Sequence, residues 1–214
     1  ARAIELNIET RSIHASSSLT SMIGECGLHF YKVGKIATIM SEMKSLTYPY
    51  YVIYKNIIED NHTVLLLEYN QNKDFFLDPK DALKGLLETE EGQGRKVLTE
   101  SSYAIVASRI GFKDQAIVSG KISSLAKIDF GKPPHTVIIP GRLHFTESDA
   151  LKLFGQCIDE PFDNSEKTEK ISKQMMKKYV PMVREALEEI IPYYKNQKEF
   201  EVILENAELY IEQA

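Results

Sequence analysis

Residues 131–145 read Gly131-Lys-Pro-Pro-His135-Thr-Val-Ile-Ile-Pro140-Gly-Arg-Leu-His-Phe145, and they decide how the chain is expected to fold. Proline fixes φ at roughly −65°, so Pro133-Pro134 delivers His135 rigidly to the start of a short apolar strand at 136–139. Pro140-Gly141 then ends this strand with a turn. A histidine at a strand edge beside a loop can contact a ligand, and it can equally cap the strand through local hydrogen bonds. These residues alone leave both roles open.

On either side of this stretch, apolar residues alternate between strand spacing and helical spacing, which predicts an α/β chain. The predicted strands span 8–13, 35–40, 62–68, 103–111 (ending in a turn), 115–119 and 136–139, and the predicted helices span 19–29, 48–61, 80–90 and 121–128. A capping box at Thr146–Asp149 predicts one more helix, which carries Leu151 and Phe154.

The composition indicates a globular protein without a membrane span or a metal centre. Of its 214 residues 43% are apolar and 27% are charged, and the apolar runs, such as Val64–Leu67, are far too short to cross a bilayer. Cys26 and Cys157 lie in unlike contexts without metal-ligand spacing, which predicts a reduced, cytoplasmic protein. The net charge of −5 argues against direct binding of nucleic acid.

The charge is unevenly distributed along the chain. Residues 1–154 carry 18 basic and 18 acidic side chains, whereas residues 155–214 carry 8 and 13, so the whole acidic excess lies in the second part. Apolar residues in this part recur at helical spacing on two segments that Pro192 and Asn196 separate. We therefore expect 1–154 to form the core and 155–214 to form an acidic helical extension, packed on that core or on a partner.

Residues 1–7 are typical of the last two turns of a helix, with Asn7 as its left-handed stop. The sequence does not begin with a methionine. We therefore expect the chain to be a piece of a longer protein.

Two stretches of the chain resemble archaeal diphthine synthases. One is Arg11-Ser-Ile-His-Ala-Ser-Ser-Ser-Leu-Thr-Ser-Met-Ile-Gly-Glu-Cys-Gly-Leu-His-Phe-Tyr-Lys-Val-Gly34, and the other is the pattern Pro-Pro-His-x-x-Ile-x-Pro-Gly-x-Leu-His at 133–144. In the family the first stretch holds the adenosyl part of S-adenosylmethionine. This chain has one extra residue before Gly24, so the contacting pair corresponds to Ser18-Leu19 or, as a poorer match, to Ser17-Ser18.

The same resemblance implies three further cofactor contacts. His62-Thr-Val-Leu-Leu-Leu-Glu68 is similar to the family's His-Thr-Leu-x-x-Leu-Asp, in which the residue matching Leu67 lies behind the cofactor. The Arg109-x-Gly111 pattern is similar to Ala-Arg-x-Gly, which implies a contact from Ile110. The stretch at 133–144 implies an adenosine-side contact from His135.

For residues 1–154 the resemblance implies the C-terminal αβα domain of a tetrapyrrole methylase-like, class III methyltransferase fold with a mixed sheet, to which the helical extension is added. The family's Gly-x-Gly-x-Gly-Asp loop and a second contacting Asp are absent from this sequence. The implied reaction is methyl transfer from S-adenosylmethionine to the amino group of the modified histidine of translation elongation factor 2, with S-adenosylhomocysteine as product. A cytoplasmic homodimer is implied, and this partial chain is expected to be inactive alone.

Two other functions stay open at this point. Another methyltransferase of the same fold would act on a tetrapyrrole or another small molecule, and the Trp that the family often carries before the 48–61 helix is missing here. A non-catalytic fragment would instead bind a protein partner through its helical extension. We assign no catalytic residue, because a sulfonium methyl is a strong electrophile and the protein has mainly to align donor and amine and to exclude water.

Overall fold

A six-stranded sheet runs through the part of the chain that the computed structural model describes, which is Leu6 and residues 17–161. The strands are β1 (Ala37–Ile39), β2 (Thr63–Leu67), β3 (Tyr69–Asn70), β4 (Phe75–Phe76), β5 (Tyr103–Ser108), β6 (Ala116–Lys121), β7 (His135–Ile139) and β8 (Gln156–Cys157). The α-helices are α1 (Ser18–Glu25), α2 (Thr47–Ile58), α3 (Pro79–Gln93), α4 (Ile122–Leu125) and α5 (Phe145–Phe154).

The order of strands in the sheet is β1-β2-β7-β5-β6-β8, and β3 with β4 forms a separate hairpin. The outer pairs, β1 with β2 and β6 with β8, are parallel, whereas β7 runs antiparallel to both of its neighbours and β5 runs antiparallel to β6. This mixed sheet with its covering helices confirms the predicted α/β class.

Each face of the sheet carries its own apolar core, because successive side chains of a strand point to opposite sides. On β5, Ala104 and Val106 belong to the core covered by α2, α3 and α4, while Ile105 and Ala107 belong to the core covered by α1 and α5. All six residues of β5 are therefore buried. The result is a three-layer αβα arrangement.

The strand that contains His135 lies at the centre of the sheet. β7 begins at His135, one residue earlier than predicted, and it ends before Pro140-Gly141 as expected. A Cβ atom on Gly141 would lie 2.9 Å from the backbone carbonyl carbon of Asp60, so only glycine allows the turn to approach α2 this closely. The Gly141 N–H donates to Nδ1 of His62 at 3.1 Å.

The buried carboxylate of Glu147 ties three distant segments together. It accepts hydrogen bonds from the backbone N–H groups of His29 at 2.7 Å and His144 at 2.8 Å, and from Nε2 of His62 at 2.9 Å. Neither Glu147 nor His62 is exposed to solvent. Since Nδ1 of His62 already accepts from Gly141, its Nε2 carries the proton and donates to the carboxylate.

The helix after β7 begins earlier than predicted, and the expected capping box at Thr146–Asp149 is wrong. The box is formed by His144, whose side chain accepts from the Thr146 N–H, and by Glu147, whose side chain accepts from the His144 N–H. An acidic residue stands at the right spacing in both registers. The buried partners of Glu147 select the register that begins at His144. Local sequence does not reveal these partners, because some of them are distant in the chain.

The first helix, α1, ends four residues before the predicted His29. Gly27 adopts a left-handed φ of 67°, and the Leu28 N–H donates to the Ile23 carbonyl at 3.0 Å, which closes the helix. Gly27 also packs directly on α5, since a Cβ there would lie 2.2 Å from the Cβ of Ala150. Backbone conformation and packing therefore both require glycine.

Other predicted elements differ from the structure mainly at their ends. α2 stops at Ile58 because Asp60 turns the chain with a φ of 58°, and α3 continues to Gln93 before Gly94 ends it. The hairpin of β3 and β4 was not predicted, since each strand has only two residues. The strand expected at 8–13 and the helices expected beyond 165 lie outside the described residues.

Residues 156–159, which the charge distribution assigns to the extension, continue the sheet. β8 pairs with β6, so that Val118 lies opposite Gln156. Beyond it, the Ile158 N–H donates to the Ser119 carbonyl at 2.9 Å, and the Asp159 carboxylate accepts from the Lys121 N–H at 2.9 Å. The core therefore includes a short segment past residue 154.

The Glu147 cluster makes stability depend on pH. Burial alone would raise the pKa of Glu147, but hydrogen bonds from His62 and from the His29 and His144 N–H groups outweigh it and lower the pKa from 4.5 to about 2. A carboxyl whose pKa is lower in the folded than in the unfolded chain stabilises the fold at any pH above the unfolded pKa. For Glu147 this stabilisation is about 3 kcal/mol. This contribution is lost as the pH falls from about 4.5 toward 2.

We expect E147Q to lower the free energy of unfolding by about 2–4 kcal/mol at pH 7, because an amide cannot accept all three hydrogen bonds. Urea denaturation measures this change, and D149N on the exposed side of the same helix is the control, with an expected effect within about 0.5 kcal/mol. The gap between wild type and E147Q should narrow as the pH approaches 2. A gap as large at pH 2.5 as at pH 7 would contradict this role for Glu147.

Candidate functional site

Several strand ends meet at one edge of the sheet, around His135. The carboxyl end of β5 lies there because Ser108 pairs with His135, the first residue of β7. The carboxyl end of β2 lies there because Leu66 pairs with Thr136, and β1 runs parallel to β2. In open α/β sheets, ligands bind outside the carboxyl ends of the strands. We therefore take this edge as the candidate site.

Two hydrogen bonds orient the imidazole of His135. The Ser108 Oγ lies 2.8 Å from Nδ1, and the Gly131 carbonyl oxygen lies 3.3 Å from Nε2. A carbonyl oxygen can only accept, so Nε2 carries the proton and the Ser108 hydroxyl donates to Nδ1. The ring of Phe130 meets the imidazole edge-on, with centroids 6.3 Å apart. His135 thus presents its Nε2–H at the partly exposed rim of the site.

His135 is neutral at physiological pH. Burial lowers the pKa of His135 below its usual 6.5, the Gly131 carbonyl opposes this, and the positive charge of Arg109 lowers the pKa further. The side chain can therefore recognise a ligand by hydrogen bonding and not by charge.

Arg109 fixes the loop before β7. Its backbone is left-handed, with a φ of 51°, and its N–H donates to the Pro134 carbonyl at 2.9 Å. Its guanidinium donates to the carbonyl oxygens of Phe130, at 2.9 Å, and Lys132, and its Nε lies 2.8 Å from a carboxylate oxygen of Asp114. A left-handed non-glycine residue costs free energy, so these contacts hold Arg109 in a strained conformation.

Ile110 and Leu19 pack against the same apolar core, the one covered by α1 and α5, and both are partly buried. The loop that follows Ile110 is tied to the end of α1. The Gly111 N–H donates to Oε1 of Gln115 at 3.0 Å, and Nε2 of Gln115 donates to Glu25 at 2.7 Å. The structure therefore brings these two predicted site residues to one face of the sheet.

Leu67 and Ser18 stand apart from that pair. Leu67 lies at the same edge as His135, but it packs on the opposite core, below α2 and α3. Ser18 is exposed at the start of α1, whose N-cap is Ser17. Within residues 17–161 no hydrogen bond joins Ser18 or Leu19 to His135.

Glu68, the residue after Leu67, anchors the loop that follows β1. Its Oε2 accepts from both the backbone N–H and the hydroxyl of Ser41, each at 2.7 Å. These hydrogen bonds lower the pKa of Glu68 below its usual range. The carboxylate therefore holds the loop in place.

Sequence reasoning selects neither Ser108 nor Arg109 as a site residue. Ser108 belongs to no motif. The sequence marks it only as the polar residue that ends the otherwise apolar strand β5, after Ala107. Arg109 belongs to the Arg-x-Gly pattern, but its role depends on carbonyl groups that lie more than twenty residues away. Only the fold brings them together.

Residues 17–161 contain neither a candidate metal-binding cluster nor a candidate membrane-spanning helix. No three His, Cys, Asp or Glu side chains there are grouped so that they could hold a metal ion. None of the helices in this range has the length and apolar character needed to cross a membrane.

No family model matches the chain, but curated diphthine synthases are similar to it. The diphthine synthase of Methanococcus maripaludis strain C5 is 40% identical over 153 residues, which are 71% of this chain and 60% of the relative. That of Methanosarcina mazei is 34% identical over 172 residues, which are 77% of this chain and 64% of the relative. Over this region the chain is similar to diphthine synthases.

Solved structures agree with a diphthine synthase fold. A crystal structure of diphthine synthase matches with a TM-score of 0.62 and 30% identity, covering 73% of this chain and 58% of that one. A conserved hypothetical protein from Aeropyrum pernix K1 matches with a TM-score of 0.68, over 82% and 63% of the two chains, and its 20% identity shows the fold alone. These findings confirm the tetrapyrrole methylase-like fold and the resemblance to diphthine synthases. The chain spans 60% of the length of the first curated diphthine synthase.

Removal of the Arg109 guanidinium should raise the pKa of His135, because the positive charge of Arg109 disfavours a protonated imidazole. NMR titration of the imidazole resonances measures the midpoint in wild type and in R109Q. K113Q is the matched control, since it removes one exposed positive charge from the same loop without contacting His135. A midpoint that is the same in wild type and R109Q, or one above 6.5 in wild type, would disprove this electrostatic coupling.

Proposed function

We propose that this chain is the C-terminal part of a methyltransferase of diphthamide biosynthesis that acts in the cytoplasm and uses S-adenosylmethionine. Its methyl acceptor is the amino group of the modified histidine of translation elongation factor 2, and S-adenosylhomocysteine is the product. The observation that carries the proposal is the 40% identity over 153 residues with a curated diphthine synthase.

The residues at the His135 edge fit the adenosyl part of this cofactor. Such sites combine apolar walls with a few well-placed polar groups. Leu19 and Ile110 offer partly buried apolar side chains on one side of the sheet, and Leu67 offers another at the same edge. The His135 N–H has a carbonyl partner only at 3.3 Å, beyond the usual range, so a ligand acceptor can replace it. Ser18 adds an exposed hydroxyl.

Bound S-adenosylmethionine would supply an electrophilic methyl group, and the residues of this chain have a positioning role. Ser108 and Arg109 hold His135 in place before a ligand arrives, which reduces the ordering needed on binding. Apolar side chains along the edge exclude water from the reacting groups. We assign no side chain to proton removal, because the acceptor amine has only to be neutral when it meets the methyl group.

A homodimer belongs to the same proposal. The segment after α1 and the helix α5 present large apolar side chains that are between 65% and 79% exposed, namely Phe30, Tyr31, Phe145, Leu153 and Phe154. The rings of His29 and His144 connect two of them in a series of ring contacts. An exposed apolar patch of this kind is typical of a surface that associates with another protein.

Methyl transfer tests the activity directly. The full-length protein is incubated with methyl-labelled S-adenosylmethionine and elongation factor 2 from cells that lack diphthine synthase. We expect label on the modified histidine, and none on the factor from normal cells, where the residue is already modified. Label found only on a small molecule, or no label at all, would reject the proposed acceptor.

Binding of S-adenosylhomocysteine tests the role of His135. In the full-length protein, H135A should weaken binding by about 1–3 kcal/mol, or roughly 5- to 150-fold, because a hydrogen-bonding partner of the ligand is lost. Calorimetry measures the affinity. S108A is the matched comparison: it removes the same internal hydrogen bond but keeps the imidazole, so it should lose the prior orientation of His135 and only a smaller part of the affinity. Equal losses of affinity in both variants would make His135 a structural residue only.

A further inference from the structure

Two open grooves lie on the helical layer of α2, α3 and α4, and they differ in their charges. The first groove, of about 440 Å³, lies between the start of α2 and the end of α3 and is lined by Lys44, Thr47, Tyr48, Tyr51, Gln93 and Arg95. The second, of about 620 Å³, lies between α3 and α4. We call the first the Lys44–Arg95 groove.

The Lys44–Arg95 groove has two positive charges and no acidic residue in its lining. Neither Lys44 nor Arg95 forms an ion pair within residues 17–161. A third cation, the ammonium group of Lys35, lies 5.3 Å from the ring centre of Tyr48. Positive charge is therefore concentrated here without a partner from the described part of the chain.

The larger groove is balanced. Its lysines, which include Lys80 and Lys127, share the lining with Asp81 and Glu100. Lys84 forms an ion pair with Glu88 on the same helix at 3.8 Å. The smaller groove is therefore the better candidate for binding an anion, because its positive charges are unpaired.

A buried acid, Glu90, fixes the turn that carries Arg95. Glu90 accepts hydrogen bonds from the backbone N–H groups of Val97 and Leu98, each at 2.7 Å, and from the Tyr50 hydroxyl at 3.0 Å. These bonds fix the turn that carries Arg95. The guanidinium of Arg95 in turn stacks over Tyr54, with Cζ 4.8 Å from the ring centre.

Neutral donors complete the groove. Thr47, Tyr48, Tyr51 and Gln93 supply hydroxyl and amide groups around the two cations. Cations with several hydrogen-bond donors around them are the usual setting for an oxyanion.

We propose that the Lys44–Arg95 groove is a binding site for an oxyanion, a carboxylate or a phosphate group. The loop that leads into it starts at Ser41, which Glu68 fixes at the His135 edge, so the groove lies on the segment that leaves the candidate site. An anionic part of a substrate or partner would be held there, beside the site. The inference stands independently of methyl transfer.

Titration with inorganic phosphate and with glutarate, each at constant ionic strength, tests this site. We expect saturable shifts of the backbone amide NMR signals at 45–51 and 93–96, and little change elsewhere. The variant K44Q/R95Q should weaken binding by about tenfold or more. K44Q alone changes an exposed position, so a loss of binding in this variant would not be due to a folding defect. K84Q/K127Q removes two charges from the balanced groove and should bind like wild type.

The two probes also identify the source of the oxyanion. Tighter binding of phosphate indicates a phosphorylated ligand, and tighter binding of glutarate indicates acidic side chains or a small carboxylic acid. Shifts that do not saturate in wild type, or equal losses in K44Q/R95Q and K84Q/K127Q, would overturn the proposal.

Discussion

The hydrogen bond between His62 and Glu147 is the interaction on which the arrangement of the neighbouring strands β2 and β7 and the helices α1 and α5 depends. His62 precedes β2 and accepts from the turn that ends β7, while Glu147 lies in the first turn of α5 and accepts from the segment after α1. One buried pair thus connects the helical layer of α1 and α5 with strands β2 and β7 of the sheet. Because both groups are fully buried, neither can lose its partner without a large cost in stability.

Local sequence patterns predict the central part of this fold well. The proline and glycine on either side of β7, and the apolar alternation of the other long strands, depend on neighbours in the chain, so they can be read without knowing the fold. The register of the cap on α5 and the end of α1 cannot be read in this way. Glu147 is fixed by His62, 85 residues away, and Gly27 is required by contact with Ala150. Very short strands such as β3 and β8 carry too little periodicity to be recognised.

The candidate site shows the same division between motif and fold. Resemblance to a family selects His135, Ile110 and Leu67, because they lie within recognisable motifs. It misses Ser108 and Arg109, which act on His135 and on the loop before it and never need to meet a ligand. Their contribution is geometric and electrostatic: Ser108 sets the tautomer of the imidazole, and the charge of Arg109 adds to burial in lowering its pKa. The Lys44–Arg95 groove differs from His135 in that it would recognise a ligand by charge, because its two cations are unpaired. A neutral contact and a charged one can therefore recognise different parts of one ligand, or two different ligands.

The short strand β8 also affects how this protein behaves in concentrated solution. A sheet edge with free N–H and C=O groups can recruit strands from neighbouring molecules and begin aggregation. β6 has six residues, and β8 together with Ile158 and Asp159 occupies hydrogen-bonding groups along its outer side. A chain cut before Gln156 would expose that whole side of β6. Solubility of the core therefore depends on a few residues whose sequence carries almost no signal, and any shortened form of the protein should end after Asp159.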